Sequence, residues 1–247
     1  MSTRTVVTFN GTVLTNNYYV SDMQVALLPR EIASVDVPGM DGSHFTGQTL
    51  SAKDITLTLT SMGRSIAARQ QAARALAAIL AVDEPKPLSI SIDGGLYYMA
   101  IPTSDSIAEI YRNATRFDVT FRALDPVMYG TEHTESLTNS SAKTIIVPGT
   151  YPALPIIEAE STHGASSSNQ YVRITNNTTG EYVEVPCAYS GTHTVVVDCA
   201  KRSAKVDGAE VGITPQSDWI ALNPGQVSLQ RTYGTGTFNV TYKERWL

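Results

Sequence analysis

Residues Thr115–Gly130 read TRFDVTFRALDPVMYG and join a strand pattern to a turn. In the first ten of these residues apolar and polar side chains alternate, and four members form the apolar side: Phe117, Val119, Phe121 and Ala123. This period of two predicts a half-buried β-strand. The strand should end at Asp125-Pro126, because Asp-Pro often starts a turn and proline cannot donate to a sheet ladder. We predict that Asp125, Pro126, Tyr129 and Gly130 form the seam between two domains.

Asp125 also stands where a sharp bend could present a catalytic acid. A catalytic carboxylate usually needs a second titratable group beside it, and the sequence around Asp125 offers none. The chain also lacks the motifs of zinc hydrolases, phosphate-binding loops, dinucleotide folds and serine hydrolases. We therefore predict that it is not an enzyme, with no catalytic, metal or cofactor-binding residues and no cofactor.

Upstream of this stretch the sequence predicts more strands and one long helix. Residues 53–61, KDITLTLTS, alternate strictly and predict a half-buried strand. Residues 64–82, RSIAARQQAARALAAILAV, place an apolar stripe at helical spacing: Ile66, Ala73, Leu76, Ala77 and Leu80. Pro85 and Pro87 then stop the helix. Residues 88–102 predict a hairpin around Gly94-Gly95, so residues 1–130 should form a mainly antiparallel β domain.

A turn-rich segment, VPGMDGSHFTGQ, covers residues 37–48. Pro-Gly and Asp-Gly are strong turn dipeptides, and two large apolar residues stand among polar neighbours. We predict an ordered contact loop between subunits or rings, formed by Val37, Pro38, Met40, Asp41 and Phe45. A mobile surface loop without partners is the alternative that the sequence leaves open.

The second half of the chain contains no helical pattern. Residues 131–147 are polar and predict a linker. From residue 148 onward short strand patterns recur between turn clusters, which is typical of a β-sandwich over residues 148–247. A hairpin centred near Gly191 would not place Cys187 opposite Cys199, so both cysteines are expected to be reduced thiols rather than a disulfide.

Composition excludes several classes of protein. The 247 residues carry a net charge of −5, whereas a nucleic-acid-binding protein needs a basic surface. The apolar stretch at residues 66–82 is broken by polar residues, and the N-terminus lacks a secretory pattern. We expect a protein made in the cytoplasm, without membrane insertion.

The order of these segments resembles the distal tail proteins of long-tailed, siphovirus-type bacteriophages. The resemblance spans nearly the whole chain and rests on short matches: Phe9-Asn10-Gly11, Pro38 to Gly42, Tyr97 to Ala100, Phe121 to Pro126 with Tyr129-Gly130, Ile174 to Asn176 with Thr179-Gly180, Val197-Asp198, Ser217 to Leu222 with Pro224-Gly225, and Val240 to Leu247.

This resemblance implies a tail-tube-like β-sandwich or split barrel with one helix, followed by a galectin-like β-sandwich. It implies a structural virion protein at the tail tip, which forms a hexameric ring between the tail tube protein and the hub. Further implied partners are the tape measure protein and receptor-binding or side-fibre proteins. DNA would pass through the lumen without specific binding.

Two other functions are the alternatives to a tail-tip role. A carbohydrate-binding module acting in host cell-surface recognition would use the β-sandwich and exposed aromatic residues such as Trp219. A glycan-active enzyme would need paired acids, which are not recognisable in the sequence.

Overall fold

The computed structural model describes residues 5–61, 63, 65–91, 94–103, 107–110 and 114–247. The chain is mainly β, which confirms the predicted fold class, and it folds as two compact units. The first unit ends at Tyr129 and also includes Leu247. The second unit comprises Gly130–Trp246.

Ten strands and one α-helix build the described part of the first unit, in the order β1 (Val7–Phe9), β2 (Thr12–Val13), β3 (Tyr18–Val25), β4 (Arg30–Asp36), β5 (Ser43–Leu50), β6 (Lys53–Ser61), α1 (Ile66–Leu80), β7 (Lys86–Ile90), β8 (Tyr97–Pro102), β9 (Ile107–Ile110) and β10 (Thr115–Ala123). All pairings are antiparallel. β10 lies between β6 on one side and both β8 and β9 on the other, and β3 continues the sheet beyond β6.

The predicted alternation of β6 and β10 is present in the structure. Ile55, Leu57 and Leu59 of β6 are fully buried, and they lie beside buried side chains of β10 such as Phe121 and Val119. The residues between them, which are threonines and charged side chains, point to the opposite side of the sheet. This buried face forms the core of the first unit together with Leu76 and neighbouring side chains of α1.

Helix α1 begins after Ser65, whose hydroxyl accepts a hydrogen bond from the Ala68 amide at 3.1 Å. Its buried face differs from the predicted stripe. Ile66 and Ala77 are exposed, whereas Arg69 is buried. Arg69 lies on the core side because its guanidinium donates from Nη1 to the Gly63 carbonyl at 3.4 Å.

The second unit is a sandwich of two antiparallel sheets, built from β11 (Met128–Leu137, which starts in the first unit), β12 (Lys143–Val147), β13 (Ile156–Thr162), β14 (Tyr171–Asn176), β15 (Tyr182–Pro186), β16 (His193–Asp198), β17 (Ser203–Val206), β18 (Ala209–Val211), β19 (Gly225–Tyr233) and β20 (Thr237–Trp246). One sheet has the order β11-β20-β13-β16-β17-β18 and the other β12-β19-β14-β15. Alternate residues of both sheets, among them Ile157, Ile174 and Val240, share one core.

Residues 131–147, predicted as a linker, lie mostly in β11 and β12 of the second unit. The prediction missed them because the half-buried side chains of β11 are polar. His133 meets Glu244 at 2.9 Å, and Glu135 pairs with Lys143 at 2.8 Å. These contacts let polar residues occupy positions at which apolar residues would have signalled a strand.

The predicted hairpin near Gly191 is wrong, because β15 and β16 belong to different sheets. The conclusion about the cysteines is nevertheless confirmed: Cys187 and Cys199 are both free and buried. Trp219, suggested as an exposed sugar-stacking residue, is instead partly buried against the core of the second unit.

Candidate interaction surface

Strands β4 and β5, which come between β3 and β6 in the sequence, form a separate two-stranded sheet. It is here called the ribbon (residues 30–50). Its register runs from the pair Arg30–Leu50 to the pair Asp36–Ser43, with a bulge on β5. The tip is ordered by a hydrogen bond of 3.1 Å from the Met40 amide to the Val37 carbonyl. Positive φ angles at Gly39 and Gly42, 85° and 81°, let the chain turn there without strain.

The ribbon is exposed on both faces. All seven residues of β4 are exposed, and in β5 only Gly47 and Leu50 are half-buried. Within the described part of the chain, the ribbon pairs with no other strand. A two-stranded hairpin with no covered face is marginally stable on its own in water. The ribbon therefore has the properties of a segment that is stabilised by a partner.

The faces of the ribbon differ in chemistry. Ile32 and Phe45 lie on one face, since Phe45 pairs with Ser34 and Ile32 is two residues away along β4. They are 66% and 65% exposed. The opposite face carries Val35 beside His44, and the His44 ring contacts the Met40 sulfur at 3.5 Å.

Polar contacts hold the apolar pair Ile32 and Phe45 in place on their face. The Arg30 guanidinium donates to the Gln48 side chain at 3.1 Å, and the Ser43 hydroxyl donates to Asp36 at 2.6 Å. These side chains fix the two strands at both ends of the ribbon. The face therefore presents an ordered apolar centre with a polar rim, as the contact surfaces of proteins commonly do.

The five residues predicted as a subunit interface all belong to the ribbon. Val37, Pro38, Met40 and Asp41 lie in its turn, Phe45 lies in β5, and all five are exposed. Their role in subunit contacts stays a prediction. The predicted loop is shorter than expected, because residues 43–48 belong to a strand.

Sequence reasoning missed the exposed apolar residues that extend this surface. Ile32 lies on the ribbon, and Leu27, in the segment leading into it, is 91% exposed. The only available signal was isolated apolar residues between charged neighbours in REIASVD, residues 30–36.

Strand β3, which precedes the ribbon, is an open edge. The strand, Tyr18–Val25, pairs with β6 with an irregularity at Ser21, and among the described residues no strand pairs with its other side. An open edge presents backbone donors and acceptors that a strand of another chain can pair with. The ribbon and the open edge of β3 are thus two adjoining surfaces suited to binding a partner.

The predicted seam residues lie at the boundary between the two units, which falls between Tyr129 and Gly130. The Tyr129 hydroxyl donates to one carboxylate oxygen of Asp125 at 2.5 Å, and the Val127 amide donates to the other at 3.3 Å. Pro126 is buried. The Asp125 carboxylate therefore holds the turn that ends β10.

The described residues contain neither a metal-binding cluster nor a membrane-spanning helix. No group of three or more histidine, cysteine, aspartate or glutamate side chains is placed to hold a metal ion. None of the described helices has both the length and the apolar character needed to cross a membrane.

Comparison with known proteins matches both halves of the chain. Residues 12–123 match the family described as phage tail protein RIFT-related domain. Residues 148–246 match the siphovirus-type tail component, C-terminal domain. The distal tail protein of Bacillus phage SPP1 is 21% identical over 222 residues, which cover 87% of this chain and 86% of that protein.

The fold agrees with these matches. The crystal structure of SPP1 Dit, a paradigm of the hub adsorption apparatus in phages that infect Gram-positive hosts, superposes with a TM-score of 0.80 at 18% identity. The match covers 98% of this chain and 99% of that one. The chain therefore belongs to the distal tail protein family of siphovirus-type phages, and it is a structural component of a phage tail.

Proposed function

We propose that six copies of this chain form a ring at the distal end of the tail, where the ring joins the tail tube to the tail-tip hub and anchors adhesion components. The observation that supports this proposal is the ribbon, which is ordered, uncovered on both faces and, among the described residues, paired with no further strand. We propose that a second copy of the chain covers the exposed faces of the ribbon.

A ring needs two different surfaces on each subunit, because head-to-tail contacts join unlike patches that close by rotation. The first unit offers such a pair of surfaces. One is the apolar face of the ribbon with Ile32 and Phe45, and the other is the open edge of β3 with the half-buried Met23. If the ribbon of one subunit packs against the β3 edge of the next, the unpaired backbone groups of β3 gain hydrogen-bond partners. The same contact covers the exposed apolar side chains.

The two ends of the ring would serve different partners. The tail tube protein would contact one end, and the hub protein with the tape measure protein would lie at the other. The second unit, for which a galectin-like fold is expected, would carry receptor-binding or side-fibre proteins. DNA would pass through the lumen, and the chain's net charge of −5 does not favour retention of a polyanion.

Electron microscopy of the purified protein, alone and mixed with its tail tube and hub proteins, tests this function. Six-fold rings that cap tail tubes are expected, together with labelling of the tail tip by an antibody against the chain. A protein that stays monomeric in every mixture and is absent from virions would refute the proposal.

A further inference from the structure

The first unit has a polar sheet face opposite its core. Strands β3, β6 and β10 lie side by side, and the charged, amide and threonine side chains on their outward side form what we call the polar face: Asp22, Gln24, Asp54, Thr56, Thr58, Thr60, Arg116, Asp118, Thr120 and Arg122. Tyr19 of β3, which pairs with Thr60, lies at the border of this face. This face is separate from the ribbon. Its chemistry is that of hydroxyls and ion pairs, with no large apolar side chain among these ten.

Both arginines of the polar face are paired with aspartates. Arg122 donates from Nε and Nη2 to the two carboxylate oxygens of Asp54 at 2.8 and 2.9 Å. Arg116 donates from Nε to Asp118 at 3.1 Å. The Arg122 hydrogen bond also lowers the pKa of Asp54 below its ordinary value.

Hydroxyl groups tie the pairs into the sheet. The Thr58 hydroxyl donates to Asp118 at 2.6 Å, and the hydroxyls of Thr56 and Thr120 lie 3.2 Å apart. Asp54 neutralises Arg122 through two parallel hydrogen bonds, and Asp118 neutralises Arg116 while also accepting from Thr58. Exposed ion pairs contribute only about 0–1 kcal/mol to folding, so stability alone gives little reason to pair both arginines.

The charges of the polar face nearly cancel. Two arginines stand against three aspartates, so the ten described side chains carry a net charge of −1. Proteins bind duplex DNA by placing lysine or arginine against phosphates and releasing counterions, and each unpaired cation adds to that attraction. On this face each arginine is already held by a carboxylate, which leaves a hydroxyl-rich surface with no unpaired cation among these side chains.

On the basis of the ring proposed above, we propose that the polar face lines the ring's channel, and that the Asp54–Arg122 and Asp118–Arg116 pairs mask positive charges that would otherwise hold the phosphates of passing duplex DNA. The ring multiplies the effect: two unmasked arginines per subunit would place twelve cations around the channel. The open edge of β3 fits this position, because sheets joined edge to edge into a ring turn one face inward, and the opposite face here is the buried core.

The test removes the negative charges of the two aspartates and keeps both arginines. In Asp54→Asn with Asp118→Asn, the preassembled ring should bind a linear duplex at least about tenfold more tightly than wild type at low salt, and the gain should disappear as salt is raised. Binding is measured by fluorescence anisotropy after native mass spectrometry has shown that the ring is intact. A covalently closed circle of the same sequence cannot enter a closed ring, so it should show no gain.

Two further variants act as controls. Glu158→Gln with Glu210→Gln removes the same charge from exposed positions of the second unit and should leave DNA binding at the wild-type level. Thr60→Arg adds a cation to the polar face opposite Arg116 on the neighbouring strand and keeps both aspartates. It should raise binding to linear DNA even where the double asparagine variant fails to fold.

The outcomes separate this inference from the proposed function. If the wild-type chain forms no ring, the proposed function itself is refuted. An intact ring whose double asparagine and Thr60→Arg variants bind linear DNA no better than wild type overturns the charge-masking role. Equal gains on linear and circular DNA overturn the placement in the channel, because the face would then be on the outside.

Discussion

Replacing Ile32 and Phe45 together by aspartate is expected to prevent ring assembly without unfolding the subunit. Full burial of an isoleucine or phenylalanine side chain contributes about 1.5–3 kcal/mol. Ile32 is 66% exposed and Phe45 is 65% exposed, so roughly two thirds of that contribution remains to be gained on assembly. The pair therefore represents about 2–4 kcal/mol at each subunit contact, which corresponds to a roughly 30- to 700-fold weaker contact.

The subunit itself should keep its stability, because both side chains lie outside its core. Substitutions at exposed sites without special contacts usually change the free energy of unfolding by less than about 0.5 kcal/mol. Analytical ultracentrifugation over a concentration series should show the ring dissociating to subunits, while circular dichroism shows an unchanged thermal midpoint. Ile146→Asp with Leu124→Asp, at sites 71% and 63% exposed that do not belong to the ribbon, is the matched control and should assemble normally. If the ribbon variant assembles at the same concentration as wild type, the ribbon is not the subunit contact.

Three further predictions concern single side chains. Arg173→Ala should cost about 2–4 kcal/mol in urea unfolding, because it leaves the buried Glu184 carboxylate without its partner at 2.6 Å; an unchanged midpoint would contradict this role. A hydrogen bond to Asp207, and to a smaller extent one to the Ser190 carbonyl, raises the pKa of His193. The resulting contribution to folding stability is complete at pH values below the ordinary histidine pKa, and it is lost as the pH rises through the raised pKa. Asp207→Asn should therefore lower the His193 pKa in an NMR titration, and an unchanged titration would exclude the pair. Burial raises the pKa of Cys199 to about 12, so its thiol should react with iodoacetamide at pH 8 only after denaturation; rapid labelling of the native protein would contradict its burial.

The sequence predicts the elements whose apolar side chains repeat at a regular period. Strands β6 and β10 alternate strictly, and the structure places their apolar members in one core. The bounds of helix α1 are also predicted well from its apolar spacing, but the burial of Arg69 is not. An arginine that packs its stem on the core and bonds a nearby carbonyl cannot be told from an exposed arginine by its spacing.

The interaction surface was harder to predict because its residues do not obey a burial pattern. The ribbon is exposed on both faces, so alternation gives no signal for β4, and the turn dipeptides indicated only that the chain reverses near Met40. Strand β11 was missed for the opposite reason. Its half-buried positions carry His133 and Glu135. His133 contacts Glu244 on the distant strand β20, and Glu135 pairs with Lys143 on the next strand, β12.

The number of subunits in the purified assembly is the most direct measure of whether this chain forms a six-membered ring. Native mass spectrometry of the wild-type chain, at micromolar concentration and near-neutral pH, measures that number. We expect a closed species of six times the 26.6 kDa subunit mass, which the Ile32→Asp with Phe45→Asp variant lacks. A wild-type chain that remains at 26.6 kDa, alone and with its tail tube and hub proteins, would contradict the account.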